Sequence, residues 1–152
     1  MAVQLKGEAI SEEVLVARMV ETIVEVASPE RIVLFGSRAK GTAREQSDYD
    51  FLVIDAKPFN KQHSRRKTAG KIWRALASFR VPTDILIYHT DEVEKWQRSQ
   101  NHVVFHALNE GKVVYERAEP SGDSAASIQT LCDRVEAAFQ LSKGTSKSLG
   151  KE

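Results

Sequence analysis

The chain has 152 residues, which is enough for one hydrophobic core of ordinary size and too few for two comfortable domains. Hydrophobic residues make up 41% of the sequence and charged residues 28%, a balance typical of a soluble globular protein and not of a disordered or membrane chain. The formal net charge is only +1, so attraction to nucleic acid is not expected from the overall charge and would need a local cluster of basic residues.

Targeting and membrane signals are not evident in the sequence. The N-terminal segment carries several charged residues and no apolar run of signal-peptide length, and no stretch approaches roughly 18 uninterrupted apolar residues. We therefore expect a cytoplasmic protein that does not contact a membrane. The single cysteine, Cys132, lies in a periodic apolar segment and is expected to be a buried thiol.

The first third of the chain alternates between helical and strand patterns. Apolar residues at helical spacing predict a helix from Glu12 to Ala27, with Ser11 placed to cap its start. The β-branched and aromatic run from Arg31 to Phe35 predicts a buried strand that ends in a tight turn at Gly36. A polar loop then leads to a second strand, predicted from Asp48 to Ile54.

A second helix is predicted from about Lys61 to Phe79, followed by a third strand from Thr83 to Tyr88. This helix carries a basic stretch made of Lys61, His63, Arg65, Arg66, Lys67, Lys71 and Arg74. Charged helix faces are most often solvated, so a solvated face is expected, with binding of an acidic partner surface or RNA as the alternative. Trp73 and Trp96 are expected to be core or interface anchors and not platforms for stacked bases.

The pattern beyond the third strand is helical with interruptions. Asp91 is placed to cap a helix with Glu94 three residues later, and the helical pattern ends at Glu110. Gly111 suits the left-handed C-terminal position of that helix, and a short strand is predicted from Lys112 to Tyr115.

We divide the chain into a main domain at residues 1–118, a linker with an amphipathic helix at 119–141, and a disordered tail at 142–152. The helix, predicted from Ala125 to Leu141, has an apolar stripe that either packs on the domain or binds a partner. The sequence does not choose between these two possibilities, and it leaves open a homo-oligomer.

Two carboxylates mark the start of the second strand. Asp48 and Asp50 are two residues apart, so both side chains point to the same face and must lie close together. Carboxylates at such a separation repel each other unless a cation lies between them, and oxygen-only ligands suit magnesium-like ions. The pair therefore predicts a divalent metal site.

A third carboxylate, Asp84, occupies a corresponding position at the start of the third strand. If the two strands are neighbours, three carboxylates converge and could hold two metal ions about 3.5 to 4 Å apart. Asp84 would also be close enough to take a proton from an attacking hydroxyl. Asp55 is less suitable because strand alternation points it to the opposite face from Asp50, and Asp91 lies beyond the strand.

Gly36 and Ser37 stand where the first strand passes into a short predicted helix. Exposed backbone N–H groups at such a turn can meet phosphate oxygens, and the Ser37 hydroxyl adds a donor. Arg38, Lys40 and Arg44 supply positive charge nearby, and the forked donors of Arg38 match a phosphate best.

The order of these features resembles a known signature. Gly36-Ser37, ten intervening residues, and Asp48-x-Asp50 running into an apolar strand are similar to the active-site motif of the polymerase-beta-like nucleotidyltransferase superfamily. The segments at 34–41 and 47–50 are most similar to its minimal nucleotidyltransferase (MNT) group. The resemblance covers roughly residues 12–116 and implies an α/β nucleotidyltransferase fold, with a small mixed sheet flanked by helices.

The resemblance also implies the roles of the site residues. Asp48 and Asp50 would bind Mg²⁺, two ions being expected in the active complex, and Gly36 and Ser37 would hold the triphosphate of ATP. Asp84 would complete the catalytic triad. The shared chemistry of the superfamily is in-line attack of a hydroxyl on the α-phosphate of a nucleoside triphosphate, and it needs no nucleophilic cysteine or Ser-His pair.

The function implied is that of an MNT-type antitoxin, which attaches AMP to a tyrosine of a partner HEPN-domain toxin. A first alternative is a small-molecule nucleotidyltransferase similar to those that modify aminoglycosides, although little chain follows Tyr115 to form a second domain. A second is a non-catalytic antitoxin that acts by binding alone. Nucleic acid is not an expected partner, because the charge balance offers no long groove that follows a phosphate backbone. The sequence does not identify the molecule that accepts the nucleotide or the base of the nucleoside triphosphate.

Overall fold

The computed structural model describes residues 2–5 and 8–118, with side chains described from residue 9 onward. Its elements, in chain order, are β1 (Ala2–Leu5), β2 (Glu8–Ser11), α1 (Glu12–Ala27), β3 (Arg31–Phe35), α2 (Ser37–Lys40), β4 (Tyr49–Asp55), α3 (Arg65–Leu76), a 3₁₀ helix (Ala77–Phe79), β5 (Thr83–His89), α4 (Thr90–Trp96), α5 (Val103–Glu110) and β6 (Lys112–Glu116). The predicted linker, the C-terminal helix with Cys132 and the tail lie outside the described residues. None of the described helices is long and apolar enough to cross a membrane.

The main sheet has four strands in the order β5-β4-β3-β6. β4 pairs parallel with β5 and antiparallel with β3, and β3 pairs antiparallel with β6. The predicted α/β fold with a mixed sheet flanked by helices is therefore confirmed. β1 and β2 form a separate antiparallel hairpin, with Leu5 opposite Glu8, that the sequence analysis missed.

The sheet is covered by helices on both faces because its inner strands carry apolar side chains on both sides. Phe51 and Val53 of β4 face α1 and α3, whereas Leu52 and Ile54 face α4 and α5. Burial on both faces requires a nearly continuous apolar run, and β4 has one. The strand is thus fixed between two hydrophobic layers.

α3 is the crossover that joins the parallel strands β4 and β5. Parallel neighbours cannot be joined by a tight turn, so the chain must return along a face of the sheet. α3 does this with Thr68, Ile72 and Leu76 buried, on the same layer as α1. As a result β4 and β5 start at the same end of the sheet.

The start of α3 and the burial of one of its side chains differ from the prediction. The helix begins at Arg65 and not at Lys61, because the Ser64 hydroxyl caps it by accepting the N–H of Lys67. The Asn60 side chain holds the preceding residues in a turn. Trp73 was predicted to be a core or an interface anchor. It is 58% exposed, so it is not a core residue.

The start of α4 also differs from the prediction. His89, and not Asp91, is the N-cap residue: its ring accepts the N–H of Asp91, and Glu92 accepts the N–H of His89 to complete a capping box. The helical pattern that was predicted to continue to Glu110 is divided into α4 and α5.

Gly111 is required for space and not for a left-handed conformation. Its φ of −86° and ψ of 177° are extended, which corrects the predicted left-handed position. A Cβ atom here would overlap the carbonyl oxygen of Ala107 and would lie 2.7 Å from Val33 Cγ1 and 2.8 Å from the Leu34 carbonyl oxygen. α5 and β3 approach each other closely at this glycine.

We expect Gly111→Ala to lower the free energy of unfolding by about 1–3 kcal/mol, because backbone atoms cannot move aside as a side chain can. Gly70→Ala is the matched control: Gly70 lies inside α3 with no atom within 4 Å of an added Cβ. Alanine there should stabilise by about 0.5–1 kcal/mol, since it favours the helix. Urea denaturation measures the change in the free energy of unfolding for both variants. Equal changes at the two sites would contradict the close packing described at Gly111.

Candidate active site

Three strands bring the predicted carboxylates and the glycine turn to one edge of the sheet. β3 ends there at Phe35, while β4 and β5 begin there. Asp50 lies opposite Phe35 on one side and opposite Asp84 on the other. Asp48 precedes β4 by one residue. The structure thus places the turn after β3, Asp50 and Asp84 side by side across three neighbouring strands.

Gly36 lies directly against the Asp50 carboxylate. Its φ of 72° and ψ of −158° form a conformation that residues with a side chain rarely adopt. A Cβ atom at this position would overlap Asp50 Oδ2 and would lie 3.2 Å from Asp50 Cγ. Glycine is therefore needed both for the turn and for the approach of Asp50 to the backbone.

The electrostatics of this edge are dominated by negative charge. Asp50 is half-buried, whereas Asp48 and Asp84 are exposed. Burial raises the pKa of Asp50, and the charges of Asp84 and Asp48 raise it further. Both neighbours therefore lie near enough to disfavour ionisation of Asp50.

The two carboxylates that were considered less suitable lie elsewhere. Asp55 is buried at the other end of β4, where its Oδ2 is 2.7 Å from His63 Nε2 and its Oδ1 accepts the N–H of Lys57. Asp91 lies in the first turn of α4, with its side chain 85% exposed. Neither joins the cluster around Asp50.

Arg38 is buried beneath the loop that leads to Asp48. Its guanidinium donates to the carbonyl oxygens of Ser47 and Glu45 at 3.0 to 3.2 Å, and it donates to Glu12 at 3.1 Å. The same group lies 4.4 Å from the centroid of the Tyr49 ring. These contacts tie the loop to α1 and to the first residue of β4.

Tyr49 and Glu12 complete the support of this loop. The Tyr49 hydroxyl donates to Glu12 at 3.3 Å, and burial, together with the Glu12 charge, raises the pKa of Tyr49 to about 12. The phenol therefore stays protonated at neutral pH and keeps its hydrogen bond. The sequence analysis missed both residues.

The roles proposed for Arg38 and Ser37 stay predictions. Each end of the Arg38 guanidinium donates to a protein oxygen, so contact with a phosphate would require it to give up a hydrogen bond that holds the loop. Ser37 begins α2 immediately after Gly36 and is half-buried.

The donor chemistry of the edge fits a magnesium-like ion, because it consists of carboxylate oxygens that would repel one another without a cation. Within the described residues, however, no three His, Cys, Asp or Glu side chains already have the arrangement of a metal site. The predicted coordination of Mg²⁺ by Asp48, Asp50 and Asp84 is thus compatible with the donor set, and it stays a prediction.

A protein-family model described as "Polymerase beta, Nucleotidyltransferase" matches residues 18–120, which is more than half of the chain. The chain belongs to this nucleotidyltransferase family, and the predicted superfamily is confirmed. A comparison with curated proteins finds no match.

Solved structures similar to this chain include a crystal structure of "the toxin-antitoxin with AMP-PNP", at 17% identity and a TM-score of 0.42, covering 88% of this chain and 94% of that chain. Two mutants of "the toxin-antitoxin MntA-HpeT" are also similar. One has 15% identity, a TM-score of 0.42 and the same coverage; the other has 16% identity and a TM-score of 0.42, covering 87% of this chain and 92% of that chain. Likeness at this level carries no inference about function.

We expect Asp50→Asn to stabilise the metal-free protein at neutral pH by up to about 1 kcal/mol, the size of a removed like-charge contact. Folding raises the pKa of Asp50, so wild-type stability falls as the pH rises through that pKa. Asparagine cannot ionise, and its advantage should disappear as the pH falls towards 3.8, the ordinary pKa of the residue. Thermal unfolding in chelator across this pH range measures the difference.

Asp91→Asn is the control for this experiment. Asp91 lies in the first turn of a helix, where a carboxylate is favourable, so asparagine should not stabilise the protein there. An Asp50→Asn variant that is less stable than the wild type at neutral pH would contradict the electrostatics described.

Proposed function

We propose that this nucleotidyltransferase uses Mg²⁺ and ATP to attach AMP to a hydroxyl of a partner protein. The observation that carries the proposal is the register that places Asp50 beside Asp84, with Gly36 against the Asp50 carboxylate. Family membership supports the reaction class. The proposal adds that the metal is Mg²⁺, that the nucleotide is ATP and that the acceptor is a hydroxyl of a partner protein.

Each residue has a role in this proposal. Asp48, Asp50 and Asp84 hold Mg²⁺, which when bound neutralises the carboxylates and the triphosphate. The backbone at Gly36 and the Ser37 hydroxyl bind phosphate oxygens. Arg38 fixes the loop that carries Asp48, which is a different role from the phosphate contact expected from the sequence.

The transfer is an in-line displacement at the α-phosphorus. An oxygen–phosphorus bond forms from the acceptor hydroxyl, the bond from the α-phosphorus to the bridging oxygen breaks, and pyrophosphate leaves. The acceptor proton passes to the Asp84 carboxylate, which is exposed and lies opposite Asp50. Positioning and charge neutralisation supply most of the acceleration in such a site.

We propose a tyrosine of a HEPN-domain toxin as the acceptor, with the chain acting as its antitoxin. The resemblance of residues 34–41 to the MNT group supports this choice. The exposure of Asp48 and Asp84 also suits an acceptor presented on the surface of another protein, because neither carboxylate is enclosed.

Transfer of label from α-labelled ATP tests the proposal. The chain is incubated with Mg²⁺ and a candidate HEPN-domain partner, and we expect label on the HEPN protein and loss of its toxicity. The paired change of Asp48→Asn and Asp50→Asn should lower labelling by about 100-fold or more, the size expected when electrostatic stabilisation of the transition state is removed. Asp91→Asn should leave it unchanged.

Two outcomes would contradict the proposal. If a correctly folded pair of proteins shows no transfer but the toxin is still neutralised by the double variant, the chain acts by binding alone. If pyrophosphate is released only when small hydroxyl compounds are supplied, the acceptor is a small molecule.

A further inference from the structure

Positive charge is concentrated in one segment of the chain. Residues 57–80 contain no aspartate or glutamate and eight basic residues: Lys57, Lys61, Arg65, Arg66, Lys67, Lys71, Arg74 and Arg80. Since the whole chain has a formal net charge of +1, the remainder carries −7. The near-neutral total therefore conceals a strongly basic region.

Four of these eight charges project from the outer side of α3. Thr68, Ile72 and Leu76 bury the inner side of the helix. At helical spacing the exposed residues form one continuous outer surface. We call this surface the basic face; it consists of Arg66, Lys67, Lys71, Trp73 and Arg74.

The charges of the basic face are not neutralised within the described part of the chain. Arg65, at the edge of α3, forms an ion pair with Glu92 at 2.5 Å and lies over the Phe59 ring, so it is part of the internal structure. Across residues 9–118 the four cations of the basic face form no ion pair with a carboxylate. Their positive potential is therefore available to a ligand.

Trp73 adds a flat aromatic surface to these cations. The exposed large apolar side chains among the described residues are Val26, Trp73 and Val113, and Trp73 is 58% exposed. On α3, Arg66 lies two turns before Trp73 on the same side of the helix, and Arg74 follows Trp73 directly in the sequence. An exposed indole on the same surface as several cations suits single-stranded nucleic acid, with phosphates on the cations and a base on the ring.

We propose that the basic face binds single-stranded nucleic acid. This inference is independent of the proposed transfer reaction, and it reverses the expectation drawn from net charge. α3 runs from the far end of β4 to the start of β5, so its last turn and Arg80 lie at the edge that holds the carboxylates. A strand bound along the helix extends towards that edge.

The composition of the basic face favours nucleic acid over an acidic protein surface. Lysine is depleted in the cores of protein interfaces, yet Lys67 and Lys71 lie among the cations here. A second copy of the chain is also less complementary: the groove along α1 contains Glu21 and Glu25, but Arg18 lines the same groove one turn before Glu21. A phosphate backbone carries only negative charge, so none of its groups repels the cations of the basic face.

Fluorescence anisotropy with short labelled oligouridylate and oligothymidylate tests the proposal at several salt concentrations. We expect saturable binding that weakens with salt. The pair Lys71→Gln and Arg74→Gln should reduce the slope of log K against log salt by about 1.4, because each phosphate contact to a single strand contributes about 0.7. Trp73→Ala should weaken binding by about five- to 150-fold, corresponding to about 1–3 kcal/mol of base stacking.

The pair Lys95→Gln and Arg98→Gln is the matched control, because it removes one exposed lysine and one exposed arginine outside α3. This control should change the slope little. The proposal is overturned if neither oligonucleotide binds at low salt, or if the control pair weakens binding as much as the α3 pair. It is also overturned if polyglutamate or a duplex of equal length binds as tightly, or if sedimentation shows that the α3 pair instead abolishes self-association.

Discussion

The register of β4 is the constraint on which the candidate site depends. Asp50 faces Phe35 of β3 and Asp84 of β5, so one strand determines which turn and which carboxylate it meets. A shift of one residue would turn Asp50 to the opposite face of the sheet. The apolar side chains that follow, with Phe51 on one face and Leu52 on the other, oppose such a shift because both are fully buried. Hydrophobic packing therefore holds together charges that repel one another.

Local sequence patterns predicted most helices and strands of the main sheet. Features that depend on contacts between distant residues could not be predicted from them. Strand alternation predicted that Asp55 points away from Asp50, and in the structure Asp55 contacts His63 at the other end of β4. The order of the strands is not a local property, and the mixed sheet was expected only from the family resemblance. The position of Arg38 depends on Glu12, which lies 26 residues away in sequence, and no spacing rule links them. The sequence could not decide whether Trp73 is a core or an interface residue, because a tryptophan at the edge of an apolar stripe has the same pattern whether it is buried or exposed.

Two opposite concentrations of charge lie behind the net charge of +1. The carboxylates gather where β4 and β5 begin, and the basic face follows α3, the crossover between the same two strands. Arg38 belongs to neither group: it is buried, it is bound by Glu12 and loop carbonyls, and it stabilises the approach to Asp48. The connection of parallel strands by a helix thus places an acidic edge and a basic surface within one small domain.

Calorimetric titration with a non-hydrolysable ATP analogue, with and without Mg²⁺, tests most directly whether the edge around Asp50 is a nucleotide site. The wild-type chain should bind the analogue only when Mg²⁺ is present, and Asp50→Asn should abolish the Mg²⁺-dependent part, because the ion links the carboxylates to the triphosphate. Binding of equal affinity in the wild type and in Asp50→Asn, with no dependence on Mg²⁺, would contradict the assignment of this edge as the site.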